Sequence, residues 1–379
     1  MEQRKIHVLH IIGKRPIGGV GNVLLNYQTH MNQKEIQMDY LIFSDEPDGR
    51  FDNQVRSLGS NVYIMPELRE SKFFYFVYKL NNFFKKKKFD IIHVHSPNIA
   101  AICFYLAKKY GIHNRILHSH STAYAAKKWN NFRNRILCFP LKWQATELMA
   151  CSTEAGEFLF KGYKKSYQIL NNAIDYKKYK YNLVNRKEVR EQLQLKPDQF
   201  VIGTIGELVK DKNQIFLIHI FAAVLNKKPN ASLLLVGSGE LEGLLKKEAN
   251  KLGVQDKVIF YGYSRNVESL LQAMDIFVMT SLNEGLPLVA LEAQASGLPC
   301  LLSDKITKEV SVKRSFYLSL DSGEQEWASQ IIEILENNKE TREIEDKIFI
   351  EKGFAIEKEA EKLEKYYKKL YKSKERNIK

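Results

Sequence analysis

The sequence predicts an α/β protein of two doubly wound parallel sheets, each with its own core. Three observations carry this prediction. At 379 residues the chain exceeds what one hydrophobic core usually supports, and its 44% apolar residues suffice for two. Short β-branched or aliphatic runs alternate throughout with longer stretches of helical period, the pattern of parallel strands joined by crossover helices. The polar stretch DYKKYKYNLVNRKEVREQLQLKPDQ at 175–199 interrupts that alternation and divides it into two series, so it reads as the linker.

The first series holds strand candidates IHVLHII (6–12), MDYLIF (38–43), NVYIM (61–65), DIIHVH (90–95), RILHS (115–119), ELMAC (147–151) and YQIL (167–170). The second holds FVIGTIG (200–206), SLLLVG (232–237), KVIFYG (257–262), DIFVM (275–279) and PCLLS (299–303). Beyond about residue 322 the pattern is purely helical. It ends with Leu363, Tyr366, Tyr367, Leu370 and Tyr371 at i, i+3, i+4 spacing, a stripe that needs a surface to cover. The expected domains are 1–180 together with a C-terminal helix 355–379, and 195–350. Doubly wound sheets bind ligands at the carboxyl ends of their strands, so the informative residues are those just after strands. With two such sheets the site is expected in a cleft between them.

Lys and Arg number 58 against 44 Asp and Glu, and the formal charge of +14 favours an anionic partner: a phosphorylated small molecule, an acidic lipid surface or nucleic acid. The four cysteines, Cys103, Cys138, Cys151 and Cys300, lack C-x-x-C spacing and lie mostly in apolar runs, as buried free thiols of a reducing compartment do. MEQRKIHVLHII runs straight into a strand, without the apolar core or cleavage site of a leader, and no stretch supplies roughly 18–20 uninterrupted apolar residues. A cytoplasmic protein that does not span a membrane is expected.

The stretch NEGLPLVALEAQASGLPCLL (283–302) places Glu284 and Glu292 around an otherwise apolar run. Pro287 suits the first helical position and Gly297 with Pro299 the end, so a helix is predicted from about 287 to 296. The amides of Gly285, Leu286 and Leu288 then sit at a positive helix end, a seat for phosphate. On the bland reading, Glu284 complements the helix dipole and Glu292 faces a solvated groove. Against it, Val289, Ala290, Leu291, Ala293 and Ala295 surround Glu292 with small or apolar groups, where an ionised carboxylate needs hydroxyl or amide partners. Ribose hydroxyls would serve.

EGLPLVALEAQASGLP resembles the E-x7-E signature of retaining GT-B glycosyltransferases of family 4, which include bacterial capsule and exopolysaccharide enzymes. The resemblance implies that Glu284 contacts the hydroxyls of the donor sugar and Glu292 the ribose. The backbone of Gly285, Leu286, Pro287 and Leu288 would meet sugar and diphosphate. Other blocks follow in the family's order. IGELVKDKNQ (205–214) puts Lys212 where the family's diphosphate-binding lysine lies, SLLLVGSGELEG (232–243) matches the next block, and FYGYSRNVESLL (260–271) brings Ser264, Arg265 and Asn266 near the nucleotide base. LNNAID (170–175) is similar to the turn that closes the N-terminal domain. One residue departs: Glu207 stands where the family usually has Arg, and it could point away or pair with Lys210 or Lys212.

In GKRPIGGVGNVLLNY (13–27), Gly18, Gly19 and Gly21 could bring amides to a phosphate, or form a bare turn. By resemblance Gly19 is the donor contact, with Lys14 and Arg15 adding charge. His93 and His95, then His118 and His120, cluster at two strand ends. Alternate strand residues need not converge and no carboxylate or thiol accompanies them, so no metal site is expected. The family's sugar-positioning His falls on His120; the other histidines read as structural. With no D-x-D in the chain, neither a divalent metal nor a cofactor beyond the nucleotide-sugar substrate is expected.

Two segments, 71–89 and 127–143, join lysines to aromatic residues. A half-buried helix with a basic rim is the plain explanation; an anionic bilayer is the second, and nucleic acid the last. The resemblance implies a GT-B fold whose final helix packs back on the N-terminal, acceptor-binding domain. It implies retaining transfer from a nucleotide diphosphate sugar, UDP being the expected nucleotide, to a glycan or lipid-linked acceptor; because such an acceptor is often lipid-linked, an anionic membrane surface ranks above nucleic acid as a further partner of the two basic, aromatic segments. The residues leave open a glycosidase using the two acids, a sugar-nucleotide epimerase, and a non-catalytic partner subunit lacking a working donor site through Glu207.

Overall fold

The structure, a computed structural model, describes residues 4–13, 19–46, 49–68, 72–120, 138, 141–337 and 342–378. The chain divides into two compact units, Met1–Ala173 with Ile356–Lys379, and Ile174–Ala355. The first therefore ends a few residues before 180.

In the first unit seven strands form one parallel sheet: β1 (Ile6–Ile12), β2 (Ile36–Phe43), β3 (Val62–Met65), β4 (Ile91–Val94), β5 (Asn114–Ser119), β6 (Glu147–Ala150) and β7 (Gln168–Ile169). Their order is β3-β2-β1-β4-β5-β6-β7. The chain winds outward from β1 in one direction, returns, and winds outward in the other, so the order reverses between β1 and β4. Helices on both faces leave β1, β2, β4 and β5 almost wholly buried, which is why these strands read as continuous apolar runs rather than alternating ones. The helix Ile356–Ile378 belongs to this unit and packs over β1 and β5. Leu363, Tyr367 and Leu370 of its apolar stripe are buried, and Tyr366 donates to Glu147 Oε2 at 2.6 Å.

The second unit repeats the winding: β8 (Phe200–Ile205), β9 (Ala231–Val236), β10 (Val258–Gly262), β11 (Ile276–Met279), β12 (Cys300–Ser303) and β13 (Ser315–Leu318), all parallel, in the order β10-β9-β8-β11-β12-β13. The sequence pattern missed β13. It is an edge strand whose residues are exposed or half-buried, Phe316 being 39% exposed, so no apolar run marks it.

The stretch read as a linker is instead folded into this unit. Tyr176–Tyr179 forms a 3-10 turn and Leu183–Gln192 a helix, capped by the Asn182 side chain accepting from the Asn185 amide at 3.0 Å. Its two arginines are partnered. Arg186 and Arg190 both bind Asp275, at 2.6 and 3.4 Å, and Arg186 also donates to the Met274 carbonyl at 2.9 Å. Asp275 in turn accepts from the Val201 amide at 2.8 Å, tying the helix to the starts of β8 and β11. Part of the high charge here therefore records ion pairing, while Lys187, Glu188 and Glu191 face solvent. Among the described residues no helix is long and apolar enough to cross a membrane.

Candidate active site

The order of the second sheet reverses between β8 and β11, and the segments leaving those two strands carry Lys212 and Glu284. After β8 the chain makes the 3-10 turn Lys210–Lys212 and passes through Asn213 in the left-handed region (φ 54°), a conformation asparagine tolerates. The two segments are hydrogen-bonded together: Leu282 donates its amide to the Asp211 carbonyl at 2.8 Å, and Thr280 Oγ1 donates to the Asn213 carbonyl at 3.0 Å. On this frame Lys212 Nζ forms an ion pair with Glu284 Oε1, which also accepts from Ser281 Oγ at 3.1 Å. The side chains are 26% and 15% exposed, so the pair is only partly screened by water.

Glu284 lies just ahead of the helix Leu288–Ala295, with Pro287 at the N-cap rather than inside the first turn as predicted. No side chain caps this helix; of its first-turn amides, that of Ala290 donates to the Pro287 carbonyl at 3.2 Å. Gly285 is half-buried, and Leu286, Pro287 and Leu288 are buried. Glu292 is half-buried and accepts from the Tyr179 hydroxyl at 3.0 Å. Burial raises its pKa to about 7, against the opposing hydrogen bond from Tyr179 and the charge of Lys178. Burial first, and Glu292 second, raise the pKa of Tyr179.

Glu207 is exposed, and among the described residues it pairs with neither Lys210 nor Lys212. Lys212 is held by Glu284 instead, so of the two alternatives only the side chain pointing away stands. The neighbouring glycine block has a steric reason. Gly237 has φ +140°, and a Cβ there would stand 1.9 Å from the Gly206 carbonyl oxygen; backbone from the loops after β8 and β9 touches directly. Ser264, Arg265 and Asn266 lie on the loop after β10, the edge strand two places from β8. Ser264 Oγ accepts from the Asn266 amide at 3.1 Å, and no hydrogen bond or ion pair joins this loop to Lys212, Glu284 or Glu292 among the described residues.

In the first unit, Gly19 opens the helix Gly19–His30 and is exposed; a Cβ there would meet nothing within 4 Å. Lys14, Arg15, Gly18 and most of 127–143 lie outside the described residues. The histidines do converge, against the expectation. His93 and His95 on one strand end, and His118 and His120 on the next, point to one face, joined by His10 of β1. His120 Nε2 lies 2.8 Å from His95 Nδ1. Burial holds His120 down to about 4 and His10 to about 3, so both rings are neutral at pH 7. His10, His93 and His95, and likewise His95, His118 and His120, bring ring nitrogens within 4.8 Å of one another, a spacing that three neutral imidazoles need to hold a divalent ion.

Sequence reasoning missed Tyr179, Ser281 and His10. Tyr179 was hidden in the charged segment, with the recurring tyrosines of YKKYKY as its one signal; His10 was visible as a polar residue inside the apolar run IHVLHII.

Two family models match the chain: Glycosyltransferase Family 4 over residues 17–178 and Glycosyl transferases group 1 over residues 185–353. The chain is 29% identical over 364 residues to a putative glycosyltransferase, EpsF, of Bacillus subtilis (strain 168), covering 93% of this chain and 94% of that protein. It is 25% identical over 332 residues to the UDP-Gal:alpha-D-GlcNAc-diphosphoundecaprenol alpha-1,3-galactosyltransferase of Escherichia coli, with 82% and 83% covered. Among solved structures, Anabaena Alr3699/HepE in complex with UDP and glucose superposes with a TM-score of 0.73 at 18% identity over 98% of each chain, a likeness of fold. With two doubly wound sheets, the E-x7-E helix and the two adjoining family matches, the chain belongs to the group 1 glycosyltransferases and has the GT-B fold.

Proposed function

We propose that the protein moves a sugar from a UDP-sugar, with retention at the anomeric carbon, to a glycan or lipid-linked acceptor in cell-surface polysaccharide synthesis. The observation that carries this reading is the switch point of the second sheet, where Lys212, Glu284 and the uncapped start of the Leu288–Ala295 helix come together. Charge builds on the departing diphosphate in the transition state, and a lysine already oriented by Glu284, with amides aimed from a helix start, stabilises it without reorganising solvent. Glu292, whose hydroxyl partner in the free protein is Tyr179, would exchange or share that bond with the ribose. Glu284 would contact the sugar, Ser264, Arg265 and Asn266 the base, and Gly19 and His120 the donor, as the family resemblance implies. The UDP of the Anabaena structure and the UDP-Gal in the name of the Escherichia coli relative support uridine as the base, and the diphosphoundecaprenol in that name supports a lipid-linked acceptor. No step here calls on a metal ion. Calorimetric titration with UDP and a panel of UDP-sugars tests the reading: binding with release of UDP on acceptor addition is expected, and no binding at millimolar ligand would count against it.

A membrane-facing role is part of the proposal. The helix Phe73–Lys86 buries Phe76, Leu80 and Phe84, yet leaves Phe74 87% and Tyr78 62% exposed beside Lys79, Lys85 and Lys86. A basic rim alone would fit a half-buried helix; exposed aromatic rings among lysines suit the headgroup region, each surface-bound Lys adding about 1 kcal/mol. Sedimentation with phosphatidylglycerol vesicles should carry the protein down and phosphatidylcholine vesicles should not. The double variant Phe74→Ser, Tyr78→Ser is expected to cut binding about tenfold or more, and equal binding by variant and wild type would remove this face from the account.

A further inference from the structure

Five of the nine histidines and one tyrosine lie on a single hydrogen-bonded line inside the first unit. The parallel register explains how. His10 of β1 is paired with His93 of β4, and the period of two puts His93 with His95, and His118 with His120, on the same face. The C-terminal helix closes that face with Tyr367, which is fully buried.

From one end, His120 Nε2 meets His95 Nδ1 at 2.8 Å, and His95 Nε2 meets His10 Nδ1 at 2.9 Å. His10 Nε2 meets the Tyr367 hydroxyl at 3.5 Å, which meets His93 Nδ1 at 2.7 Å, and His93 Nε2 meets His118 Nδ1 at 3.0 Å. The two ends, His120 Nδ1 and His118 Nε2, are buried and have no hydrogen-bond partner among the described residues.

Proton counting constrains this line. Burial lowers the pKa of all five rings, so each carries one N–H, and the tyrosine adds one O–H. Each link consumes one proton and the one left over must sit at an end. The line therefore has two uniform polarities, and every ring changes tautomer between them. Tyr367 chooses. Its single O–H fits the short contact to His93, typical of O–H donation, and its oxygen accepts across the longer contact from His10.

We infer that Tyr367, acting through His10 and His95, fixes His120 in the tautomer that donates Nε2–H to His95 and leaves Nδ1 bare, an acceptor for a hydroxyl of the bound sugar. Tyr367, His10 and His95 are positioning residues, and the inference rests on the reading that His120 meets the donor. Their effect is on orientation and proton placement, not on binding area.

The test uses full-length protein labelled with 15N-histidine, with His120 assigned by comparison with His120→Gln. Long-range 1H–15N spectra of wild type, without donor, should show His120 almost wholly as the Nε2–H tautomer. Tyr367→Phe removes one oxygen and cuts the line into two parts with no polarity imposed on either, so both His120 tautomers should appear. In the same variant kcat should fall about tenfold, with donor KM within about twofold, since orientation rather than contact is lost. His95→Gln, which breaks the line next to His120, gives the same readout should Tyr367→Phe not fold. Wild-type His120 protonated on Nδ1, an unchanged tautomer in both variants, or a stoichiometric metal in the purified protein with metal-shifted imidazole nitrogens would each overturn the inference. The spectra need no substrate, so they decide it separately from the donor reading, which falls if His120→Ala transfers sugar like wild type.

Discussion

Lys212→Met is expected to lower kcat/KM for sugar transfer by about 10²–10³, the usual cost of removing one preorganised donor from a developing oxyanion. The methionine keeps the length of the stem and removes only the charge. In the free protein Lys212 is neutralised by Glu284, whose carboxylate is 15% exposed, so the single variant also leaves a largely buried acid without its cation. A lowered Tm is therefore expected alongside the kinetic loss. The two effects separate in Lys212→Met, Glu284→Gln, where the unpaired charge is gone: thermal stability should recover towards wild type while transfer stays low. Glu207, exposed and unpaired with either neighbouring lysine, predicts a different result, because Glu207→Ala alters no contact that holds Lys212. Steady-state kinetics with differential scanning calorimetry check this, and near-wild-type kcat/KM in Lys212→Met would remove the lysine from the diphosphate site.

What the sequence revealed of this arrangement depended on whether burial was continuous. β1, β2, β8 and β9 lie between helix layers and so announce themselves as apolar runs, whereas β13 is half-exposed and leaves no such trace. The charged segment 175–199 was misread because a sequence shows a charge but not its partner. Arg186 and Arg190 are committed to Asp275, some 85 to 89 positions away, and only the fold brings that carboxylate to them. The same limit hid Tyr179 behind Glu292. Lys212 and Glu284 were both visible as residues of the family pattern, but their ion pair joins two segments 72 positions apart. For the histidines, alternation along β4 and β5 could say which face each occupies, and the register between strands decided that they meet.

Glu292→Gln should make the ligand-free protein more stable and the donor-binding protein worse. Burial raises the pKa of Glu292 from the ordinary 4.5 to about 7, so the fold resists ionisation of this group. The resulting penalty is absent below about pH 4.5, grows as pH rises towards 7, and is complete above that, where it amounts to roughly 1–3 kcal/mol. Glutamine keeps the acceptor for the Tyr179 hydroxyl and carries no charge to desolvate. Its Tm should therefore exceed that of wild type at pH 8 and match it near pH 4.5. Binding runs the other way, because ribose hydroxyls donate most strongly to an ionised carboxylate. With a pKa of about 7, about one tenth of the free protein is ionised at pH 6, so the affinity of wild type for UDP-glucose should rise about tenfold between pH 6 and pH 8. UDP-glucose is the probe of choice, since its phosphates do not titrate in that interval. Glu292→Gln should bind it at least about tenfold more weakly at pH 8, with no pH dependence from this group. Calorimetry at the two pH values is decisive: a flat wild-type affinity, or an unweakened variant, would mean that the acid kept inside this apolar helix serves something other than the nucleotide.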